Sequence, residues 1–430
     1  MSKPIYADNA ATTKLDERAF EAMRPFLLEE YGNASQPYSL ARLPKKALQE
    51  ARESIAACIG ADSDEIFFTS GGTESDNWAI KSHSLRPASS TIVTSAFEHH
   101  AVLHSCEWMN QRGARTIYVT PQESGHIDVF RLKEALPEGS GLVTIMFANN
   151  EIGTIQPIEE LAKVAHEQGY IFHTDAVQAV GHIPINVHSL NVDMLSASAH
   201  KFNGPKGVGF LYVKRGTELY SYESGGAQES GLRAGTENIA GIVGMAIALK
   251  LNCDCLPENM KNGRHLEDVL LQKIIDAGVV FKQNGGDYRL PGLLSLSFPG
   301  FDGEAILHRL DLMGISISTG SACDSKRTQI SHVLEAIKLP HDYATGTVRI
   351  SLVRTTLLKK PPPLQMRLLN AFLAIRQERK SIGEEIKPGF KGVSYPKSGG
   401  ETRFHRPESL ILLAFWTYSI QLSPSRTKLR

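Results

Sequence analysis

The sequence predicts an α/β protein in which a mostly parallel sheet is covered by helices. Three observations carry this. Up to Leu352, short β-branched or apolar runs alternate with amphipathic helical stretches. Most of those runs end directly in polar or glycine-rich loops. At 430 residues, 42% of them hydrophobic, the chain is long enough for two globular domains with cores of their own.

Strands are expected at 66–69, 91–95, 142–147, 170–174, 194–197 and 208–213, each a short run bounded by turn or loop residues. The first breaks at Gly71-Gly72, with a helix beginning around Thr73 to Asp76. In open α/β sheets ligands gather beyond the carboxyl ends of the strands, so the loops after these runs are the places to look for chemistry. No internal repeat is visible.

The formal net charge of zero conceals an uneven distribution. Residues 353–430 hold 15 Lys+Arg against 5 Asp+Glu, and residues 1–352 hold 31 against 41. At Val353 the character changes to Pro361-Pro362-Pro363, scattered basic residues and a Gly/Ser/Pro-rich stretch over 387–400. The apolar run at 410–420 is shorter than the roughly 20 residues that cross a bilayer, so no membrane anchor is expected. The opening residues show no secretion or organelle signal, which places the protein in the cytoplasm. Five scattered cysteines (Cys58, Cys106, Cys253, Cys255, Cys323) argue against a disulfide framework. Cys58 and Cys106 read as packed small hydrophobes. The Cys253-x-Cys255 pair has no second pair or clustered His to complete a metal site.

Four segments carry candidate chemistry. In SASAHKFNGPKGVG, Lys201 follows a strand end; an amine that forms a Schiff base must lose its proton near neutral pH, and a desolvated loop beside an anion site provides that setting, although a surface lysine fits the segment equally well. In HTDAVQAVG, Asp175 ends a strand and is either a helix N-cap or a partner for a protonated ring nitrogen, with Gln178 three residues on. FFTSGGTESDNWAI has the form of a phosphate site, in which Gly71 and Gly72 let the backbone approach and a helix beginning around Thr73 to Asp76 offers free N–H groups that favour an anion; Ser198 and His200 are further candidate partners, and His99 in EHH offers an imidazole. Cys323 lies in ISISTGSACDSKRTQ, where small residues around Gly320 suit a loop that swings, and Lys326 and Arg327 are candidates to lower its pKa.

Together these segments resemble the cysteine desulfurases of the NifS and IscS type, within the fold-type I pyridoxal-phosphate (PLP) enzymes. The resemblance spans residues 1 to about 352 through YADNAATT (6–13), GGTESDN (71–77), EHHAVL (98–103), NNEIGTIQPI (149–158), HTDAVQAVG (173–181), SAHKFNGPKGVGFLYV (198–213), RAGTEN (233–238) and TGSACDS (319–325). It implies a large domain at 16–250 with a mainly parallel seven-stranded sheet flanked by helices. A smaller α+β domain is expected from 1–15 and 251–352, followed by an atypical, poorly ordered basic tail at 353–430. By matching position it implies Lys201 as the Schiff-base lysine, His99 as the ring-stacking acid/base, Asp175 on the pyridinium nitrogen and Gln178 on the phenolic oxygen. Thr73, Ser198 and His200 are implied to bind phosphate, and Asn150 and Arg349 to orient the substrate and clamp its carboxylate. Thr236 matches a residue given by the neighbouring subunit, which implies a homodimer.

The implied reaction takes sulfur from L-cysteine, leaves a persulfide on Cys323 and releases L-alanine. The sulfur then passes to a protein acceptor such as an iron–sulfur scaffold or a thiolation relay. No resident metal, no membrane and no direct nucleic-acid binding are expected; a cluster would meet only the Cys323 persulfide, in passing. Selenocysteine lyase, simple aminotransferase and inactive scaffold are the competing readings, and intact Lys201, Asp175, His99 and Cys323 speak against the last. Three departures stand out: GNASQPYSLAR (32–42) replaces a usual GNPSS, Ser295 stands where many relatives have Asn, and VRISL is followed by unrelated sequence. The abrupt change at 353 is read as a reading-frame shift near that codon.

Overall fold

In a computed structural model, residues 4–83, 91–319 and 330–352 are described. The strands are β1 (Ile5–Tyr6), β2 (Ile66–Thr69), β3 (Thr91–Ser95), β4 (Arg115–Val119), β5 (Gly141–Thr144), β6 (Tyr170–Asp175), β7 (Met194–Ser198), β8 (Gly209–Val213), β9 (Lys282–Gln283), β10 (Leu293–Ser297), β11 (Ile315–Ser316) and β12 (Thr347–Ser351). Seven form one sheet in the order β2-β8-β7-β6-β5-β3-β4. Only β8 runs against its neighbours; the pairs β3·β4, β3·β5, β5·β6 and β6·β7 are parallel. The expected α/β class with a mainly parallel seven-stranded sheet is what the chain adopts.

These strands read as continuous apolar runs because both faces of the sheet are buried. Val93, Val143, Phe172 and Phe210 join one core, while the alternate residues Ile92, Leu142 and Leu211 join another around Trp78. That is the period of two that a strand imposes. The 142–147 run stops as a strand at Thr144; residues 145–147 continue as a buried connection toward the cavity described below. β4, at the sheet edge, was not anticipated, since Arg115, Thr116 and Tyr118 give it no continuous apolar run.

Helices cover the sheet with conventional caps. Asp16 accepts the Arg18 N–H at 2.9 Å to start Glu17–Leu28, a contact worth ~1 kcal/mol. Ile239–Asp254 packs against that helix and against Arg42–Ile59. The approach requires Gly244, where an added Cβ would lie 2.5 Å from the Met23 sulfur. No single helix among the described residues is long and apolar enough to cross a membrane.

A second core gathers around the antiparallel sheet β12-β10-β9, with Leu266, Leu296, Phe298, Ile306, Leu310 and Ile350. The N-terminal residues join it, β1 pairing in parallel with β11 and the Ser351 N–H reaching the Ala7 carbonyl at 2.8 Å. Ser295 is buried on β10 directly opposite Arg349 on β12. Its hydroxyl accepts from Asn284 at 3.1 Å, so its position is structural.

Candidate active site

Because β2, β3, β5, β6 and β7 share one direction, their carboxyl ends lie along one edge of the sheet. A cavity of about 480 Å³ opens there. Ten of the twelve residues singled out from sequence line it: Gly72, Thr73, His99, Asn150, Asp175, Gln178, Ser198, His200, Lys201 and Arg349. Thr236 is exposed and is not part of this lining. Cys323 falls within 320–329, outside the described residues.

Lys201 sits in a single turn after β7, and its Nζ donates to the carbonyls of Ala10 (2.7 Å) and Ala11 (2.9 Å). These carbonyls belong to YADNAATT, so the N-terminal segment holds the amine. Gln178 Nε2 also donates to the Ala10 carbonyl at 2.8 Å, which commits one of its two amide hydrogens. His200 pairs through Nδ1 with the Thr12 hydroxyl at 3.1 Å; burial, with the charges of Lys201 and Lys206, pushes its pKa down to about 4.

Asp175 ends β6 as a buried carboxyl whose Oδ1 accepts the Val177 N–H at 2.9 Å. Burial raises its pKa to about 6, against the opposing pull of that N–H and of Lys201. Asp76, Asp175 and His99 each bring a polar side-chain atom within 4.8 Å of the others. Asp76 is wholly buried, and desolvation with the neighbouring Asp175 charge drives its pKa well upward. Its Oδ1 has no hydrogen-bond partner, the imidazole of His173 being 3.7 Å away, too far to bond. His173 itself is bracketed by Thr144 (2.8 Å) and Ser196 (2.9 Å), and burial holds it neutral with a pKa of about 3.

His99 caps the helix His100–Asn110, its Nδ1 accepting the Ala101 N–H at 3.1 Å. In the neutral ring the proton therefore sits on Nε2. Burial, then Lys201 and the nearby His100, His332 and His104, lower its pKa to about 4. The preceding Glu98 is fully buried, accepting the Ser95 hydroxyl and the Met146 N–H (3.0 Å), and burial lifts its pKa to about 8.

At the phosphate-type loop, Gly71 adopts φ +150 and its absent Cβ would come 3.4 Å from the Ser198 hydroxyl; a Cβ on Gly72 would lie 2.4 Å from Val177. Only glycine lets this backbone enter the helix Gly72–His83 while touching β7 and the Asp175 loop. The opposite wall is Arg349. Its Nη2 donates to Asp8 (2.8 Å) and its Nη1 to the Asn150 carbonyl (2.8 Å), while the buried Nε has no partner.

Asp8, Asp76, Glu98 and the Ala10 and Ala11 carbonyls were not singled out from sequence. The available signal was a carboxylate on a helix's buried stripe: Asp76 shares the inward face with Gly72, Ala79 and Ile80. The segment bearing Cys323 is tied to this cavity at both of its described ends. Ser318 exchanges backbone hydrogen bonds with Arg349 (2.7 and 3.2 Å), and beyond it Ser331 donates to Glu151 (2.6 Å) while His332 Nε2 bonds the Glu98 carbonyl (2.9 Å).

The chain is similar in sequence and in structure to known proteins. Residues 5–358 match the family model for aminotransferase class-V. The chain is 47% identical over 355 residues to a cysteine desulfurase IscS of Dictyoglomus turgidum, covering 82% of this chain and 90% of that protein. It is 43% identical over 355 residues to the one from Methanosarcina thermophila, covering 82% and 88%. Among solved structures, a NifS-like protein superposes with a TM-score of 0.81 at 35% identity, covering 87% of this chain and all of the other. SspA in complex with cysteine gives 0.72 at 36% identity, covering 81% and 98%. With its lysine, buried aspartate and imidazole at the carboxyl edge of a class-V sheet, the chain belongs to the aminotransferase class-V family and, within it, to the cysteine desulfurases.

Proposed function

We propose that the cavity holds PLP and that Lys201, Asp175, His99 and Cys323 together move the sulfur of L-cysteine onto Cys323. The residues fit the cofactor: an amine on a buried turn, a carboxyl at the depth a pyridinium needs, and a glycine-lined helix N-terminus for a phosphate. Lys201 would hold the cofactor's aldehyde carbon, Asp175 its ring nitrogen, and Gly72, Thr73, Ser198 and His200 its phosphate, with Gln178 offering its second amide hydrogen to the phenolic oxygen. Bound there, PLP supplies an electron sink for negative charge at the substrate's α-carbon.

The chain's own groups do the rest. The unpartnered Nε of Arg349, in a guanidinium already oriented by Asp8 and Asn150, receives the substrate carboxylate. Lys201 Nζ takes the α-proton once its amine is displaced. His99, neutral and protonated on Nε2 and lining the cavity, would stand beside the bound cofactor as the acid/base group. The Cys323 thiolate attacks the substrate sulfur; an S–S bond forms, the C–S bond breaks with its electron pair left on the β-carbon, and protonation of that carbon together with return of a proton to the α-carbon yields alanine. Thr236, exposed and outside the cavity, fits the reading that a second copy receives it and that the enzyme works as a homodimer. The persulfide sulfur then goes to a protein acceptor of the iron–sulfur or thiolation type.

The observation that carries the proposal is the tethering of both described ends of the Cys323 segment to the cavity walls. Incubating the purified protein with cysteine and dithiothreitol is expected to change a visible absorption band near roughly 420 nm and to release sulfide and alanine in equal amounts. Cys323→Ala is expected to keep the band and lose the sulfide. Full sulfide release by that variant would remove Cys323 from the chemistry.

A further inference from the structure

Behind the active site, on the far side of the segment that carries Lys201, lies a second cavity of about 230 Å³. Ile183, Ile185, Leu249 and Leu256 make it apolar, and two thiols, Cys58 and Cys253, face it from different helices. Both cysteines are partly exposed, so a reagent reaches them from solvent. Cys253 Sγ lies 4.0 Å from the Cys58 carbonyl, although 195 residues separate the two along the chain.

The neighbouring Cys253 thiol, with burial, raises the pKa of Cys58, and the neighbouring Cys58 lowers that of Cys253. Lys250 favours and Asp254 opposes the Cys253 thiolate. An attacking thiol with a resolving partner beside it is the arrangement used for thiol–disulfide exchange. Neither residue lines the cavity that holds Lys201.

We propose that Cys58 and Cys253 form an oxidisable pair that closes to a disulfide on meeting a low-molecular-weight disulfide. The Cys253 thiolate attacks one sulfur of the reagent, forming a mixed disulfide and expelling a thiolate. Cys58 then loses its proton and attacks the Cys253 sulfur, forming the protein disulfide and expelling the second thiolate. The two protein thiols are oxidised and the reagent is reduced to two thiols. The bond would link Arg42–Ile59 to Ile239–Asp254 directly behind the catalytic turn. There Asn252 holds the Phe202 carbonyl (2.6 Å), and Gly181, on the cavity wall, precedes His182, which bonds the Lys201 carbonyl (2.9 Å). This site is independent of the function proposed for the first cavity.

The test uses the full chain with Cys323→Ser, so that the sulfur-accepting thiol does not compete. After exposure to oxidised glutathione, remaining thiols are alkylated in denaturant and the protein is digested with trypsin without reductant. The expected product is peptide 53–81 joined to peptide 251–261, reversed by dithiothreitol. Because Cys255 shares the second peptide, the link must survive Cys255→Ser and disappear in Cys253→Ser and in Cys58→Ser. Alkylation of both thiols as free groups, glutathione left on one of them, or a link made by Cys255 would each overturn the proposal. The direct crosslink in the parent chain keeps the test valid even if a variant folds poorly.

Discussion

The two walls of the main cavity handle charge in opposite ways. On the large-sheet side, beside Lys201, stand Asp175, Asp76 and His99, titratable groups whose pKa values are shifted by burial and by neighbouring charge. On the small-sheet side stands the planar guanidinium of Arg349, gripped by Asp8 and the Asn150 carbonyl. One wall moves protons and the other holds a carboxylate in place. Substitutions on the first should therefore reduce kcat, and those on the second should raise KM.

The largest expected effect is that of Lys201→Ala, which removes both the cofactor's attachment and the base. Sulfide release should fall about 10⁴-fold or more, and the protein should lose its visible band. Normal turnover would show that the amine held by Ala10 and Ala11 is a bystander. Asp175→Asn keeps the shape and the Val177 contact but removes the charge, so kcat should fall about 10²- to 10³-fold with little change in KM. A change confined to KM would erase the contrast between the walls.

Arg349→Lys sharpens the contrast from the other side, because a point charge replaces a planar fork. KM for cysteine should rise roughly ten- to a hundredfold, the equivalent of one hydrogen bond to a charged group, with kcat changed only a few-fold. A loss in kcat alone would place Arg349 among the proton-handling residues instead.

The smallest effect concerns stability and tests burial as the cause of the shifted pKa values. Folded Glu98 keeps its proton up to about 8, whereas the unfolded chain releases it near 4.5. Between those values the native state binds more protons, so stability should decline as pH rises and level off above about 8. Asp175 adds to the slope only up to about 6, above which Glu98 acts together with the buried Asp76, whose pKa is also driven well upward. Glu98→Gln should flatten the curve there when Tm is followed from pH 5 to pH 9. An unchanged slope would mean that Glu98 is already ionised in the folded protein.

Strands with both faces buried announced themselves as continuous apolar runs, so β2 and β3 were placed to the residue and β6, β7 and β8 to within one. Edge strand β4, with Arg115 and Tyr118 exposed, has no such run and escaped notice. The site followed the same logic. Lys201, Asp175, His99 and the Gly71-Gly72 loop sit where strands end, which sequence displays. Asp76 and Glu98 act as buried neighbours, and the protonation of a neighbour depends on distances that sequence does not contain.

What the sequence by itself determined is the class of fold, the parallel sheet and the chemical kind of the reacting groups, because strand periodicity and side-chain type are local properties of the chain. Only the tertiary structure decided that the Ala10 and Ala11 carbonyls hold Lys201, that Arg349 faces the cavity across from Asp175, and that Cys58 meets Cys253. Each of those joins residues roughly 170 to 200 positions apart, and such pairings follow from how sheet and helices pack, which no short stretch of sequence encodes.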